Sequence, residues 1–219
     1  MKKDQVTLAS LTGFVLFVSI YAKSIVLNFF LGSASDTVFY MGQILIELCI
    51  VAISIYIIKG LGKQNVLQFR KPRLGYMALV LFCYVLVIFW NGIGSVLFPV
   101  TQNQQITESI IGSSDTVVIS LLLMVIAAPI YEELVFRALV MTWLETWQTY
   151  YIDVLVSSSL FALLHVMDKG LLLTDFIHYF VLGLIFSLLY RKTNRLVCSL
   201  ALHFLINFIS WLILTFIYG

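Results

Sequence analysis

Long apolar runs separated by short polar clusters set the pattern of this 219-residue chain. Most of the runs reach the roughly 20 residues that a helix needs to cross a bilayer. The first, Val6–Leu31, follows Met1-Lys2-Lys3-Asp4-Gln5, and Ser33-Ala34-Ser35 stands behind it. That outline resembles a secretory signal, but the run is too long for one and further spans follow, so it reads as a retained helix. Lys23 within it is expected to snorkel toward the far interface. A second span covers Thr37–Ile58 and carries Gln43 and Glu47. A third runs from about Leu74 to Phe98, before Pro99, and a fourth starts near Thr116 and is expected to continue toward Gln148. A fifth covers Tyr151–Val166, a sixth Leu171–Tyr190, and a last one runs from beyond Arg195 to Tyr218. The expected fold class is all-α: a polytopic helical membrane protein with about seven to eight transmembrane helices.

The polar clusters orient these spans. Lys59–Arg73 holds Lys59, Lys63, Arg70, Lys71 and Arg73, with Pro72 marking its end, and reads as a cytoplasmic loop with amphipathic character. Val100–Asp115 is polar yet has no Lys or Arg. If the spans alternate, Lys2, Lys3, the Lys59–Arg73 group and Arg191, Lys192 and Arg195 share one side, with Lys169 the exception. The positive-inside rule then puts the N-terminus in the cytoplasm and the C-terminus outside. Two parts are expected within one integral membrane domain: residues 1–115, with the first helices and the basic loop, and residues 116–219, a helical core that carries the chemistry.

Composition narrows the class. The chain is 61% hydrophobic and 11% charged, against roughly 45–50% and 25% for a soluble domain. A net charge of +2 gives no nucleic-acid signature, so the expected partners are the lipid bilayer and whatever the core acts on; no oligomeric state follows from the pattern. Cys49, Cys83 and Cys198 lack metal-ligand or redox spacing and read as packing residues.

Candidate chemistry concentrates in Pro129-Ile130-Tyr131-Glu132-Glu133-Leu134-Val135-Phe136-Arg137. A charge at bilayer depth costs at least about 2.5–3.5 kcal/mol, and three in one apolar run need a reason. Glu133 and Arg137 stand at i and i+4, acid first, the favourable order for an ion pair. Glu132 points about 100° away and lacks that partner. A carboxyl of this kind suits general acid–base work. Pro129 removes a helix hydrogen bond and is expected to bend the helix before the glutamates. Two more i, i+4 pairs follow: Phe161 and His165 on the fifth span, and His203 and Asn207 on the last. Taken singly, each is ordinary interhelical hydrogen bonding, worth about 0.6 kcal/mol. Together, Glu132, His165, His203 and Asn207 on three helices have the content of a hydrolytic site. Glu47 reads as a helix–helix contact with Gln43, and His178 as an interfacial residue near Asp175.

Glu-Glu-x-x-x-Arg, Phe-x-x-x-His and His-x-x-x-Asn, in this order on membrane helices, resemble the CPBP (Abi) family of CAAX proteases and bacteriocin-processing enzymes. The resemblance covers about Val117–Phe208. The stretch Ala-Pro-Ile-Tyr-Glu-Glu-Leu-Val-Phe-Arg and Gly183…Tyr190-Arg191-Lys192-Thr193 add to it. Ala138 and Asn194 depart from the glycine-containing family pattern. The resemblance implies an intramembrane endopeptidase in which Glu132 is the general base, His165 orients the water, and His203 and Asn207 bind the oxyanion. Glu133, Arg137 and Phe161 then support the site. No cofactor is the favoured expectation; were a divalent metal such as zinc used, Glu132, His165 and His203 would be its ligands. The implied substrate is a peptide precursor or a membrane-proximal protein segment, in a bacterial cytoplasmic membrane. Competing readings are a bacteriocin self-immunity protein and, from intramembrane Glu and His alone, a transporter or channel.

Overall fold

A computed structural model describes residues 3–68, 73–112, 116–167 and 171–218. Lys2, Arg70, Lys71, Pro72, Asp115 and Lys169, which the charge pattern invoked, lie outside the described residues, as does the side chain of Lys3.

Six helices among the described residues are long and apolar enough to cross a membrane: α1 (Thr7–Leu31), α2 (Asp36–Gly60), α3 (Leu74–Leu97), α5 (Val117–Trp143), α7 (Leu173–Thr193) and α8, whose apolar part is Leu196–Ile217. An apolar helix too short for that criterion, α6 (Ile152–Val166), completes the bundle. Between α3 and α5 lies α4 (Gln102–Ile111), a helix in the polar stretch that follows Pro99. Its start is signalled by Thr101-Gln102-Asn103-Gln104, where the Thr101 hydroxyl accepts the backbone N–H of Gln104 at 3.2 Å. At its other boundary α5 ends sooner than expected. It stops at Trp143, and Glu145–Tyr150 forms a tight 3-10 turn before Tyr151 takes a left-handed conformation.

The bundle turns its apolar surface outward. Phe29, Phe30, Phe82, Phe89, Phe216 and Ile217 are all exposed, as helices bathed in lipid require. At the centre stands α5, the most buried of the long spans. Its second half, Glu133–Val140, is buried at every position and winds as a wide π-helix. The carbonyls of such a turn need donors from outside, and Ser157 of α6 supplies one to Phe136 at 2.9 Å.

Small residues let α6 and α7 close up along most of their length. A Cβ on Gly183 would come within 3.0 Å of the Ser158 Cα and 3.1 Å of its carbonyl oxygen. Ser187, one turn on, meets the hydroxyls of Ser157 and Ser158. At the end of α7, Asn194 adopts the left-handed conformation (φ 48°). Asparagine is the side chain that tolerates this cap best after glycine, so this departure from the family pattern keeps the local geometry.

One end of the bundle is tied by basic residues. Lys63 pairs with Glu145 at 2.6 Å, and Arg191 binds Asp153 at 2.9 Å and the Gln148 carbonyl at 2.6 Å. At the opposite end α4 is held to α7: the Gln102 N–H donates to Asp175 at 3.0 Å, and Thr101 meets the Tyr179 hydroxyl at 3.3 Å.

The Gly183 contact makes a prediction. Gly183→Ala forces backbone against Cβ and is expected to lower stability by about 1–3 kcal/mol, read as a lower thermal midpoint in detergent. Gly92→Ala, where a Cβ meets nothing within 4 Å, is the neutral control.

Candidate active site

Arg137 is the side chain that the helix packing must accommodate first. It is fully buried, and a guanidinium there has to be matched where it stands. Glu133 Oε1 lies 3.3 Å from its Nη1, the i, i+4 pair expected from the sequence. The Gly183 carbonyl accepts from Nη2 at 3.3 Å. Phe161 and Phe186 turn their rings to the guanidinium, with centroids at 4.7 and 5.2 Å. Aromatic faces attract a desolvated cation, so this cage lowers the cost of burying it.

The same Glu133 oxygen also reaches His203, 3.0 Å from its Nδ1. A carboxylate only accepts, so Nδ1 carries the proton and the ring orientation is fixed. The other ring nitrogen, Nε2, stands 3.7 Å from Glu132 Oε2. That oxygen has no hydrogen-bond partner in the structure. The adjacent glutamates thus sit on either side of one imidazole: Glu133 orients it and Glu132 faces it.

His165 is oriented by its own helix. Its Nδ1 lies 2.9 Å from the Phe161 carbonyl, which again requires Nδ1–H and puts the lone pair of the neutral ring on Nε2. Tyr179 stacks on the imidazole at 4.2 Å, and Phe161 lies 4.6 Å away. Phe161 therefore packs against Arg137 and His165 together.

Asn207 is held through Pro129. Leu121–Ala127 is π-helical, and the Ala128 N–H bonds the Leu123 carbonyl, five residues back. In that register the next donor, at position 129, would serve the Met124 carbonyl, but proline has none. Asn207 Nδ2 supplies it from α8 at 2.8 Å. One turn further, Trp211 Nε1 donates to Ser120 Oγ at 2.9 Å. His203, Asn207 and Trp211 thus tie one face of α8 to α5 at successive turns.

Glu132, Phe161, His165, His203 and Asn207 all line one cavity of about 750 Å³. Glu133 and Arg137 stand behind its wall. Thr101, Asn103, Gln104 and Thr107 bring α4 to the same cavity at the end opposite the basic contacts. Among the described residues no three His, Cys, Asp or Glu side chains gather as a metal ion requires.

Residues 114–209 match the model of the family described as Type II CAAX prenyl endopeptidase Rce1-like. The match covers a little under half of the chain. It contains every motif residue on which the resemblance to the CPBP family rests. The chain is also 26% identical over 164 residues to "Putative membrane peptidase YdiL" of Bacillus subtilis (strain 168), covering 73% of this chain and 65% of that protein. It thus spans just under two thirds of the length of that relative. No solved structure matches the chain significantly.

Several groups of the cavity lie outside the Rce1-like segment. Lys23 does not snorkel outward as the pattern predicted; it turns inward to Glu47 at 3.0 Å. A buried carboxylate one helix away gains more from the ammonium than the interface does, since the pair neutralises both charges. Gln43 donates to the same Glu47 oxygen at 3.1 Å, the contact that i, i+4 spacing had implied. Within the matched segment, His178, read as interfacial, lines the cavity too and stacks on Trp90 at 6.2 Å. The depth of Lys23 and Glu47 on consecutive antiparallel helices was the available signal for their pairing.

The link from Asn207 to the carbonyl freed by Pro129 predicts a compensation. Asn207→Leu leaves the Met124 carbonyl without a donor and is expected to cost about 1–3 kcal/mol. Adding Pro129→Ala restores a backbone N–H and should recover part of that loss, which a thermal-unfolding cycle of the four proteins measures.

Proposed function

We propose that this protein is an intramembrane endopeptidase that hydrolyses a peptide bond with a water activated by Glu132 and His165. The observation that carries the reading is that Glu132, His165, His203 and Asn207 line one cavity and all belong to a segment that matches a peptidase family. In this mechanism Glu132 takes a proton from the water as its oxygen attacks the scissile carbonyl carbon. His165, with its lone pair on Nε2, orients that water, then takes the proton from Glu132 and passes it to the leaving amine as the C–N bond breaks. His203, once Nε2 also carries a proton, and the second N–H of the Asn207 amide donate to the tetrahedral oxyanion. Glu133 and Arg137 act from behind, holding His203 in place. None of these steps calls on a metal.

The substrate class that fits is a peptide precursor or a membrane-proximal protein segment able to enter the cavity in extended form. The protein sits in a bacterial cytoplasmic membrane with its N-terminus and basic loops inside. The cavity then opens on the extracytoplasmic side, where α4 borders it. A peptide already exported, or an outer segment of a membrane protein, meets the site from there.

Two measurements test these statements. In liposomes containing candidate precursor peptides, Glu132→Ala is expected to reduce cleavage by about 10²–10⁴-fold, and Asn207→Ala by about 10²–10³-fold. Chelator should leave the wild-type rate unchanged. Cleavage that persists in Glu132→Ala defeats the mechanism, and loss with chelator restored by zinc replaces it with a metal-dependent one. For orientation, a cysteine placed at Gln104 in a cysteine-free background should react with an impermeant thiol reagent added outside cells. One placed at Lys63 should react only after permeabilisation. The reverse pattern turns the cavity to the cytoplasm.

A further inference from the structure

The cavity has a second polar pole, on helices outside the Rce1-like segment. Lys23 of α1 and Gln43 and Glu47 of α2 line the same space as Glu132 and His165. Glu47 is almost wholly buried, and its Oε1 receives both the Lys23 ammonium and the Gln43 amide. The Lys23 side chain keeps 13% of its surface accessible, whereas that of Glu47 keeps 1%. The face of Tyr131, the residue before Glu132, lies 5.0 Å from Lys23 Nζ. An ammonium has three N–H donors. One goes to Glu47 and one side is covered by the Tyr131 ring, which leaves the ammonium a donor for a guest in the cavity.

The charges around Lys23 select that guest. Glu47 already neutralises the ammonium, and Glu132 adds acid to the same cavity. An anionic guest would have to displace Glu47 and face these carboxyls. A neutral acceptor needs no counter-charge, and an extended peptide presents one at every residue, its backbone carbonyl. A peptide inside a membrane cavity has no water to satisfy that carbonyl, so a fixed donor on the wall gains the full worth of the bond.

We propose that Lys23, held by Glu47, is a substrate-binding residue that donates to a backbone carbonyl of the bound peptide away from the scissile bond. The inference rests on the endopeptidase reading. The N-terminal half thereby supplies a binding subsite to a reaction whose chemical groups all lie in the C-terminal half. Loss of Lys23 raises KM and leaves kcat largely intact, the opposite of loss of Glu132.

The test uses the Glu132→Ala protein in detergent and a fluorophore-labelled apolar nonapeptide, acetylated and amidated at its ends, with binding read by anisotropy and folding by thermal midpoint. Lys23→Met is expected to weaken binding about tenfold, the size of one charge-assisted hydrogen bond. The double swap Lys23→Glu with Glu47→Lys rebuilds the ion pair but moves the ammonium to the more deeply buried position. It should restore the midpoint and leave affinity low. Recovery of both, or Lys23→Met binding that matches the Glu132→Ala parent, assigns the pair to structure alone and overturns the proposal. So does a peptide whose free C-terminal carboxylate binds more tightly only when Lys23 is present, or failure of every capped peptide in a small panel to bind. Lys23-dependent binding by a protein that retains Glu132 yet never cleaves leaves this subsite standing and removes the peptidase reading instead.

Discussion

A guanidinium sealed from water has to be neutralised by the groups that surround it, and the way this is done for Arg137 fixes much of the protein's interior. Its charge is matched by Glu133 one turn earlier, by the carbonyl of Gly183 on α7, and by the faces of Phe161 on α6 and Phe186 on α7. Three helices are therefore positioned around one cation. Because the Glu133 oxygen that meets Arg137 also holds His203 of α8, a fourth helix is drawn into the same arrangement. Removing either charge would strand the other in a medium that cannot solvate it. The conspicuous ionic pair of the sequence thus acts behind the cavity, and the glutamate without a local partner faces it.

Backbone irregularity in α5 serves the same end. A regular helix satisfies its own carbonyls and offers neighbours only side chains. The wide turns on either side of Glu132, together with Pro129, release carbonyls that must find donors elsewhere. Asn207 and Ser157 answer for two of them. The unmet hydrogen bonds of α5 become its attachment points to α6 and α8, in a bilayer where apolar contact alone gives helices little reason to associate. Asn207 consequently ties α5 to α8 while it lines the cavity.

The N-terminal half carries no family signature, yet it closes the cavity. Through Lys23, Gln43 and Glu47 it places a second charged pair within the space that holds Glu132. Through α4, bound to Asp175 and Tyr179, it borders the cavity at the end away from the basic loops, while Tyr179 stacks on His165. The proposed catalytic groups thus all lie in one half, and the walls of the cavity that they line come from both.

The sequence by itself determined what depends on neighbours within a turn or on the length of a run. The apolar spans, the Glu133–Arg137 pair, the Gln43–Glu47 contact and the shared faces of Phe161 with His165 and of His203 with Asn207 all follow from helical spacing and the cost of burying charge. The Thr101 cap of α4 was legible in the same local way, though the polarity of the segment obscured it. Tertiary structure alone decided which side chains meet across helices. Lys23 turned inward because Glu47 stood at its depth on the next helix. His203 found Glu133 as well as Glu132, 70 residues away. Asn207 found a carbonyl exposed by a proline 78 positions before it. Periodicity assigns a residue to a face of its own helix. Which face of which neighbour it meets is set by crossing and packing, and no local spacing records that.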